Sequence, residues 1–363
     1  MRVLFVNSIK PHVWRGGEKW MVEMAAGLTE RGHSVLLGVR GDSQIAGQAL
    51  RRNVNVLPFR FGPDVNPVAA YRLRRIIRDN GVELVCTNFD KELRLAAQAT
   101  LFSRRPAIVA RKGLPYIFDK WYYRLTYRHW VDHIVSPSRS IATKLRELRW
   151  LDNVEISAIP NGVRIPEGGG RNVPSLRSQY DVPEGVPMLG FVGDLCRQKA
   201  VDNLLRAVGA LEDECRLILI GDGGERASLE ALTRDLKLAD RVTFTGHRQD
   251  AIDLYDQFDV VVCPSLFEGM PNVVLEAMAA GAPVIASAVD GALEIIGDRP
   301  VGLLFPPGDE EALASAISDL LNDPVRRKEM GAAGRSWVSE NYSMTRTVDR
   351  VEELFERLIR ETR

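Results

Sequence analysis

Two carboxylates, Glu268 and Glu276, flank a proline in the segment EGMPNVVLE (268–276). Pro271 suits the first residue of a helix, because its missing N–H would be unpaired there in any case. Gly281 suits the stop of that helix. A helix starting here offers the amides of Asn272, Val273 and Val274 and the positive end of its dipole, a ready phosphate site. Glu268 precedes the helix, in a loop. Glu276 lies about one turn inside, too deep to cap the first turn, where it can accept hydrogen bonds from ribose hydroxyls. Two carboxylates around a phosphate site suit a ligand with hydroxyls at both ends and phosphate between, which is the form of a nucleotide sugar. An E-x7-E string alone is more often a surface ion pair and a turn residue, so its surroundings must decide.

Those surroundings are two series of alternating strands and helices. Short apolar runs at 3–6, 35–39, 82–86, 107–110 and 133–136 read as buried parallel strands. A Gly16-Gly17 turn leads into an amphipathic stretch over 18–31, closed by Gly32. Residues 161–187 are rich in Gly and Pro and read as a linker. Strand runs then recur at 188–192, 216–220, 242–245, 260–263, 283–286 and 302–305, with helices over 201–211, 226–236 and 272–280. Over 345–363 a final helix carries Val348, Val351, Leu354, Phe355, Leu358 and Ile359 on one face. This order implies two doubly wound parallel sheets, whose ligands bind at the carboxyl ends of strands, in a cleft between the domains. Glycine runs at Gly221-Asp222-Gly223 and Gly246-His247-Arg248 follow strands and would let backbone approach a flat base, although such runs are usually plain turns.

Length and composition are consistent with this. The 363 residues suit about two domains. No run approaches the roughly 20 apolar residues of a membrane span, and the N-terminal run lacks the features of a signal peptide. Cys86, Cys196, Cys215 and Cys263 have no CxxC spacing, which argues against a zinc site or disulfide framework and points to a cytoplasmic protein. The formal charge is zero, but residues 1–165 hold 27 Lys+Arg against 14 Asp+Glu, and residues 166–363 hold 21 against 34. A basic half suggests a polyanionic surface or substrate, or simply attraction between the halves. The basic texture is local, in YRLRRIIR (71–78), SRRPAIVARKG (103–113) and YIFDKWYYRLTYRHW (116–130). Aromatics among Arg and Lys suit an anionic membrane surface, a lipid-linked acceptor or a phosphorylated glycan; a solvated helix face over aromatic core is the plainer reading. No nucleic-acid motif accompanies the charge, so nucleic acid is set aside.

With these residues in place, the sequence resembles the retaining glycosyltransferases of family 4. The likeness covers nearly the whole chain: GGEKWMVEMAAGLTERGHSV (16–35), IVSPSRS (134–140), IPNGV (159–163), FVGDLCRQKAVDNLL (191–205), LILIGDGGERASLE (217–230), VTFTGHRQDAIDLY (242–255), 259–296 around EGMPNVVLE, and GLLFPPGDEEALASAI (302–317). The resemblance implies the α/β GT-B fold, with two Rossmann-like domains and an interdomain cleft. Residues 1–165 would bind acceptor, residues 175–344 would bind donor, and the helix at about 345–363 would pack back on the first domain. It implies that Glu276 binds the donor ribose and Glu268 faces the sugar ring. Gly269, Met270, Pro271, Asn272 and Val273 would hold the pyrophosphate, and Lys199 would neutralise the departing diphosphate. Gly193, Asp194 and Arg197 would lie beside it, Gly221, Asp222, Gly223, His247 and Arg248 near the base, and Gly16 and Gly17 toward the phosphates. Asn88, Arg111 and Lys112 fall on the acceptor side, with Lys112 near the reacting carbon.

Two positions depart from the family pattern. Asp194 stands where many relatives have Arg and would not neutralise a phosphate; Arg197 is the nearest substitute. Lys112 stands where many have His. The resemblance implies a metal-independent, configuration-retaining hexosyl transfer without cofactor, in cell-envelope polysaccharide or lipopolysaccharide synthesis, from a UDP- or GDP-sugar to a glycan or lipid-linked acceptor. Front-face transfer and double displacement through a carboxylate both stay open. A non-catalytic nucleotide-sugar binder is the alternative that the two departures suggest. A dehydrogenase on the same architecture is disfavoured, because no G-x-G-x-x-G follows the first strand run.

Overall fold

The structure, a computed structural model, describes residues 1–101, 105–166 and 173–362. It divides into two compact units, Met1–Gly162 with Met344–Arg363, and Val163–Ser343. The first opens with β1 (Arg2–Val6), α1 (Gly16–Glu30), β2 (Ser34–Val39), α2 (Gln44–Arg51) and β3 (Asn55–Pro58). It continues through α3 (Pro67–Asp79), β4 (Leu84–Thr87), α4 (Asp90–Thr100), β5 (Ala107–Arg111), α5 (Trp121–Trp130), β6 (His133–Ser136), α6 (Arg139–Arg146) and β7 (Glu155–Ala158). Its strands form one parallel sheet in the order β3-β2-β1-β4-β5-β6-β7. Strands β4, β5 and β6 are buried throughout, which is why they appear in the sequence as unbroken apolar runs. The edge strands β3 and β7 are half-exposed and mix polar with apolar residues, so they carry no such run. Val82 is not part of β4; its amide closes the end of α3 on the Ile77 carbonyl.

The second unit holds α7 (Leu176–Gln179), β8 (Met188–Val192), α8 (Val201–Ala210), β9 (Arg216–Ile220), α9 (Arg226–Asp235), β10 (Val242–Gly246) and β11 (Val260–Cys263). Then follow α10 (Asn272–Ala280), β12 (Val284–Ser287), α11 (Asp290–Ile295), β13 (Leu303–Phe305), α12 (Glu310–Leu321) and α13 (Pro324–Asn341). This sheet is also parallel, in the order β10-β9-β8-β11-β12-β13. The segment expected to be a plain linker packs on this unit. Val163, Leu176 and Val182 are buried in its core, and Val163 bridges to Ser343. Residues 167–172 of that segment lie outside the described residues.

The chain then returns to the first unit as α14 (Met344–Thr362). Val351, Phe355, Leu358 and Ile359 join Phe5, Met21, Met24 and Leu28 in one core, with the Phe5 and Phe355 rings 6.1 Å apart. Gly27 makes the α1–α14 approach possible, since a Cβ there would meet Val348 Cγ2 at 2.5 Å. Arg31 ion-pairs with Glu352 and Asp349 on α14 at the rim of this contact. No helix among the described residues is long and apolar enough to cross a membrane.

Candidate functional site

The residues that could carry chemistry in the second unit come from loops at the carboxyl ends of β8, β9, β10 and β11. Helix α10 begins at Asn272, with Pro271 as its N-cap residue, one position earlier than a proline in the first turn. Gly281 ends the helix in the left-handed conformation at φ 84°. The Val274 amide, expected to face a ligand, donates instead to the Pro271 carbonyl at 3.1 Å, tightening the first turn. Asn272 and Val273 occupy the two positions before it, at the start of the helix. Met270 and Pro271 are buried. Gly269, Met270 and Pro271 rest on Gly291 of α11, where a Cβ would fall 2.6 Å from the Gly269 carbonyl oxygen and 2.7 Å from Met270 Cα. The sequence reading missed Gly291; its only trace is a glycine in the first turn of a helix, where glycine has no propensity advantage.

Glu268 and Lys199 are brought together as an ion pair, and Ser265 Oγ donates to the same carboxylate at 3.2 Å. Lys199 ends a short 3-10 turn (Arg197–Lys199) that the left-handed Ala200, φ 46°, joins to α8. Two bonds tie this turn to the Glu268 loop: the Leu266 amide to the Gln198 carbonyl at 2.9 Å, and Gln198 Nε2 to the Phe267 carbonyl at 2.8 Å. Burial alone would depress the Lys199 ammonium; the adjacent Glu268 carboxylate more than offsets this and holds it above the ordinary lysine value. Glu276 is half-buried and accepts from the buried Tyr255 hydroxyl at 2.9 Å. Asp194 and Arg197 are both exposed.

The glycine loops turn out to be packed on one another. Gly193, φ 159°, donates to the Ile220 carbonyl, Leu195 to that of Asp222, and Gly221 to that of Gly246. A Cβ on Gly221, φ 144°, would lie 1.9 Å from the Gly193 oxygen, and one on Gly223 would lie 2.3 Å from that of Leu195. These glycines are therefore required by loop-to-loop contact, whatever they offer a ligand. Asp222 bonds the Gly223 amide and Arg226. His247 is exposed. Arg248 forms a bidentate pair with Asp250 (2.9 and 2.6 Å) and also reaches Tyr180, which raises its pKa.

In the first unit a polar cluster fills the carboxyl ends of β1, β4 and β5. Helix α1 starts at Gly16, two residues before the expected stretch, because Glu18 accepts the Arg15 amide at 3.2 Å. The same carboxylate accepts Asn7 Nδ2 and Asn88 Nδ2, at 3.2 and 3.1 Å. Gly17 packs on Asn88, where a Cβ would meet Nδ2 at 3.0 Å. Arg111 donates to Asn88 and Asn161 (3.3 Å each) and stacks on Trp20; burial pushes it down to about 10, still a cation at neutral pH. Lys112 is buried and pairs with Asp90 at 3.0 Å, which also accepts the Tyr127 hydroxyl at 2.5 Å. Glu92 accepts the amides of Ser8, Asn88 and Phe89. Glu18, Asp90 and Glu92 are absent from the sequence reading, although each follows a strand run where a helix begins.

The comparisons match both halves of this chain. Residues 172–337 match the family described as Glycosyl transferases group 1, and residues 14–165 match Glycosyltransferase Family 4. The chain belongs to glycosyltransferase family 4. This family 4 chain is 33% identical over 227 residues to a lipopolysaccharide core biosynthesis glycosyltransferase, LpsD, of Rhizobium meliloti, covering 62% of this chain and 64% of that one. It is 32% identical over 184 residues to a 2-deoxystreptamine glucosyltransferase of Streptomyces kanamyceticus, covering 49% and 48%. The chain thus spans less than two thirds of the length of these curated relatives. Its fold is GT-B, matching Anabaena Alr3699/HepE, solved in complex with UDP, at TM-score 0.85 and 21% identity over 98% of this chain and 100% of that one.

Proposed function

We propose that this family 4 chain transfers a hexose from a nucleotide-sugar donor, a UDP- or GDP-sugar, to a glycan or lipid-linked acceptor in cell-envelope polysaccharide or lipopolysaccharide synthesis. The observation that carries the reading is the Lys199–Glu268 pair held beside the start of α10, with Glu276 one turn inside that helix. In this reading Glu276 holds the ribose, the Asn272 and Val273 amides hold the pyrophosphate, and Glu268 faces the sugar. A bound diphosphate draws Lys199 from Glu268 and is stabilised by it as negative charge builds. The acceptor oxygen forms its bond to the anomeric carbon as the carbon–phosphate oxygen bond breaks. The electron pair leaves with the diphosphate, and one of its oxygens takes the acceptor proton. This front-face course retains configuration and uses no metal. The HepE complex with UDP favours a uridine donor.

The first unit supplies the acceptor side, where Asn88, Arg111 and Lys112 line the strand ends. Beside them, Tyr116, Phe118, Trp121 and Leu125 are exposed at 55%, 57%, 74% and 45%. Lys120, Arg124 and Arg128 are interspersed and exposed. Exposed aromatics among cations match the chemistry of an anionic bilayer interface, and we assign this patch to peripheral attachment at the inner face of the cell membrane. A donor-hydrolysis assay with UDP-sugars tests the reading against a non-catalytic binder. Slow release of sugar to water, lost in Lys199→Ala, supports transfer chemistry; tight nucleotide binding with no release supports the binder.

A further inference from the structure

We infer that the amino-terminal edge of the first unit's sheet carries a second anion site, built by Arg2, Arg74, Arg78 and Arg105 for a phosphomonoester. This goes beyond the donor and acceptor reading. It concerns the end of the sheet where β1, β4 and β5 begin, opposite the strand ends that carry Asn7, Asn88 and Arg111. A cavity of about 590 Å³ opens there between the carboxyl end of α3 and the last turn of α14. Among the described residues that line it, four are arginines and one, Glu83, is a carboxylate.

The arginines come from three separate stretches of chain and are positioned by groups outside their own heads. Arg105 is held by Asp132 and by the His129 carbonyl. The Arg2 amide donates to Glu83 at 3.0 Å, and its guanidinium lies against Gly81. Gly81 has φ 56°, and a Cβ there would fall 2.8 Å from Arg2 Nη1. Glycine thus gives both the turn and the room that the guanidinium takes. Arg74 and Arg78 stand one turn apart on α3, a like-charge spacing that disfavours a helix unless an anion or the helix end offsets it. The negative end of the α3 dipole and the Asp79 carboxylate, 2.8 Å away, account for a cation at Arg78. Glu83, 3.7 Å from the Arg2 guanidinium, and Asp132 beside Arg105 hold those two cations at the same rim. Guanidinium groups match phosphate oxygens in paired hydrogen bonds and are weakly hydrated, so a cluster of four selects phosphate over a lone carboxylate. Ile77, Val82, Pro106 and Ile359 give the cavity an apolar wall. Its volume lies within the range of small-molecule sites, enough for a phosphate on a body of glycerol or sugar size.

The ligand is a phosphomonoester group, free in solution or on a lipid headgroup. Glycerol 3-phosphate is titrated calorimetrically into the full chain at fixed ionic strength with UDP in excess, and vesicles of phosphatidic acid are compared with phosphatidylcholine. The double variant R74Q/R78Q, at two exposed positions, is run beside the wild type. We expect glycerol 3-phosphate or phosphatidic acid vesicles to bind the wild type, and the double variant to bind at least tenfold more weakly with its thermal midpoint unchanged. Binding of the soluble ester identifies a free ligand; binding only of the vesicles identifies a headgroup. Binding of neither, or equal binding by wild type and double variant, overturns the site. Failure of UDP to bind would count against the donor reading and leave this test intact, because the variant lies at the other site.

Discussion

The Lys199 ammonium and the Glu268 carboxylate, 69 residues apart in sequence, neutralise each other at the mouth of the β11–α10 loop. Each therefore holds the other in place, and removing either leaves a partly buried charge without its partner. Lys199→Ala and Glu268→Ala are each expected to lower turnover by at least about tenfold, the scale of losing a charge that stabilises a leaving group. Initial rates with a UDP-sugar check this. Near wild-type turnover in both variants would remove the site assignment. Because both side chains are mostly buried (19% and 13% exposed), each variant should also lose stability, by about 3 kcal/mol.

Tyr255 sets the carboxylate that is proposed to read the ribose. Burial pushes its phenol well above the ordinary value, so it remains a neutral donor to Glu276 at any working pH. Tyr255→Phe removes that bond and should cost about 1 kcal/mol of stability. It should raise the donor KM with kcat nearly unchanged, since the ribose is held alike in ground and transition states. A fall in kcat at constant KM would place Tyr255 in another role.

Two neighbouring glycines give a matched pair. Gly221→Ala puts a Cβ 1.9 Å from the Gly193 carbonyl oxygen, in a conformation of φ 144°. Gly224→Ala meets nothing within 4 Å. The first should destabilise by about 3 kcal/mol or more and the second by no more than about 0.5 kcal/mol. Urea unfolding of the two variants decides this, and equal effects would contradict the packed-loop description.

Much of this was legible in the sequence, and the part that was not has a common cause. The buried strands and the span of α10 follow from unbroken apolar runs and a helix stop at Gly281. Edge strands β3 and β7 do not, because only one of their sides is covered. Glu268 and Glu276 could be picked out by their place around Pro271. Their contacts could not: Lys199 was named through the family resemblance but its pairing with Glu268, far away in sequence, was not, Tyr255 belongs to a short 3-10 turn, and Gly291 matters only through the backbone it touches. Sequence spacing also left Val274 free, whereas a 3-10 bond to Pro271 uses its amide. In the first unit, Arg111 was visible as a cation at a strand end, but its burial among Asn88, Asn161 and Trp20 was not.

Glu92 links the polar cluster of the first unit to pH. Burial raises its carboxyl from 4.5 to about 7, against the pull of the Phe89, Ser8 and Asn88 amides. Between these values the folded chain keeps a proton that the unfolded chain has released. Stability should therefore fall as pH rises from about 4.5 to 7 and then level, by about 3 kcal/mol in total. Glu92→Gln, uncharged throughout, should lack this component. Denaturant unfolding across the range checks it; identical pH slopes in the two proteins would contradict it.

The exposed aromatics give a salt-sensitive expectation. Wild-type protein should sediment with anionic vesicles and not with neutral ones, and less so at high salt. A Phe118→Ser/Trp121→Ser variant should lose most of that binding while keeping UDP-sugar hydrolysis. Equal partitioning of the wild type onto neutral and anionic vesicles would reject the assignment.

Calorimetric titration of UDP into the wild type and into Glu276→Ala tests the donor site most directly. The wild type should bind, and the variant should bind at least about tenfold more weakly, a difference of about 1.4 kcal/mol. No binding of UDP, GDP or ADP by the wild type, or unchanged UDP affinity in Glu276→Ala, would contradict a donor site at the head of α10.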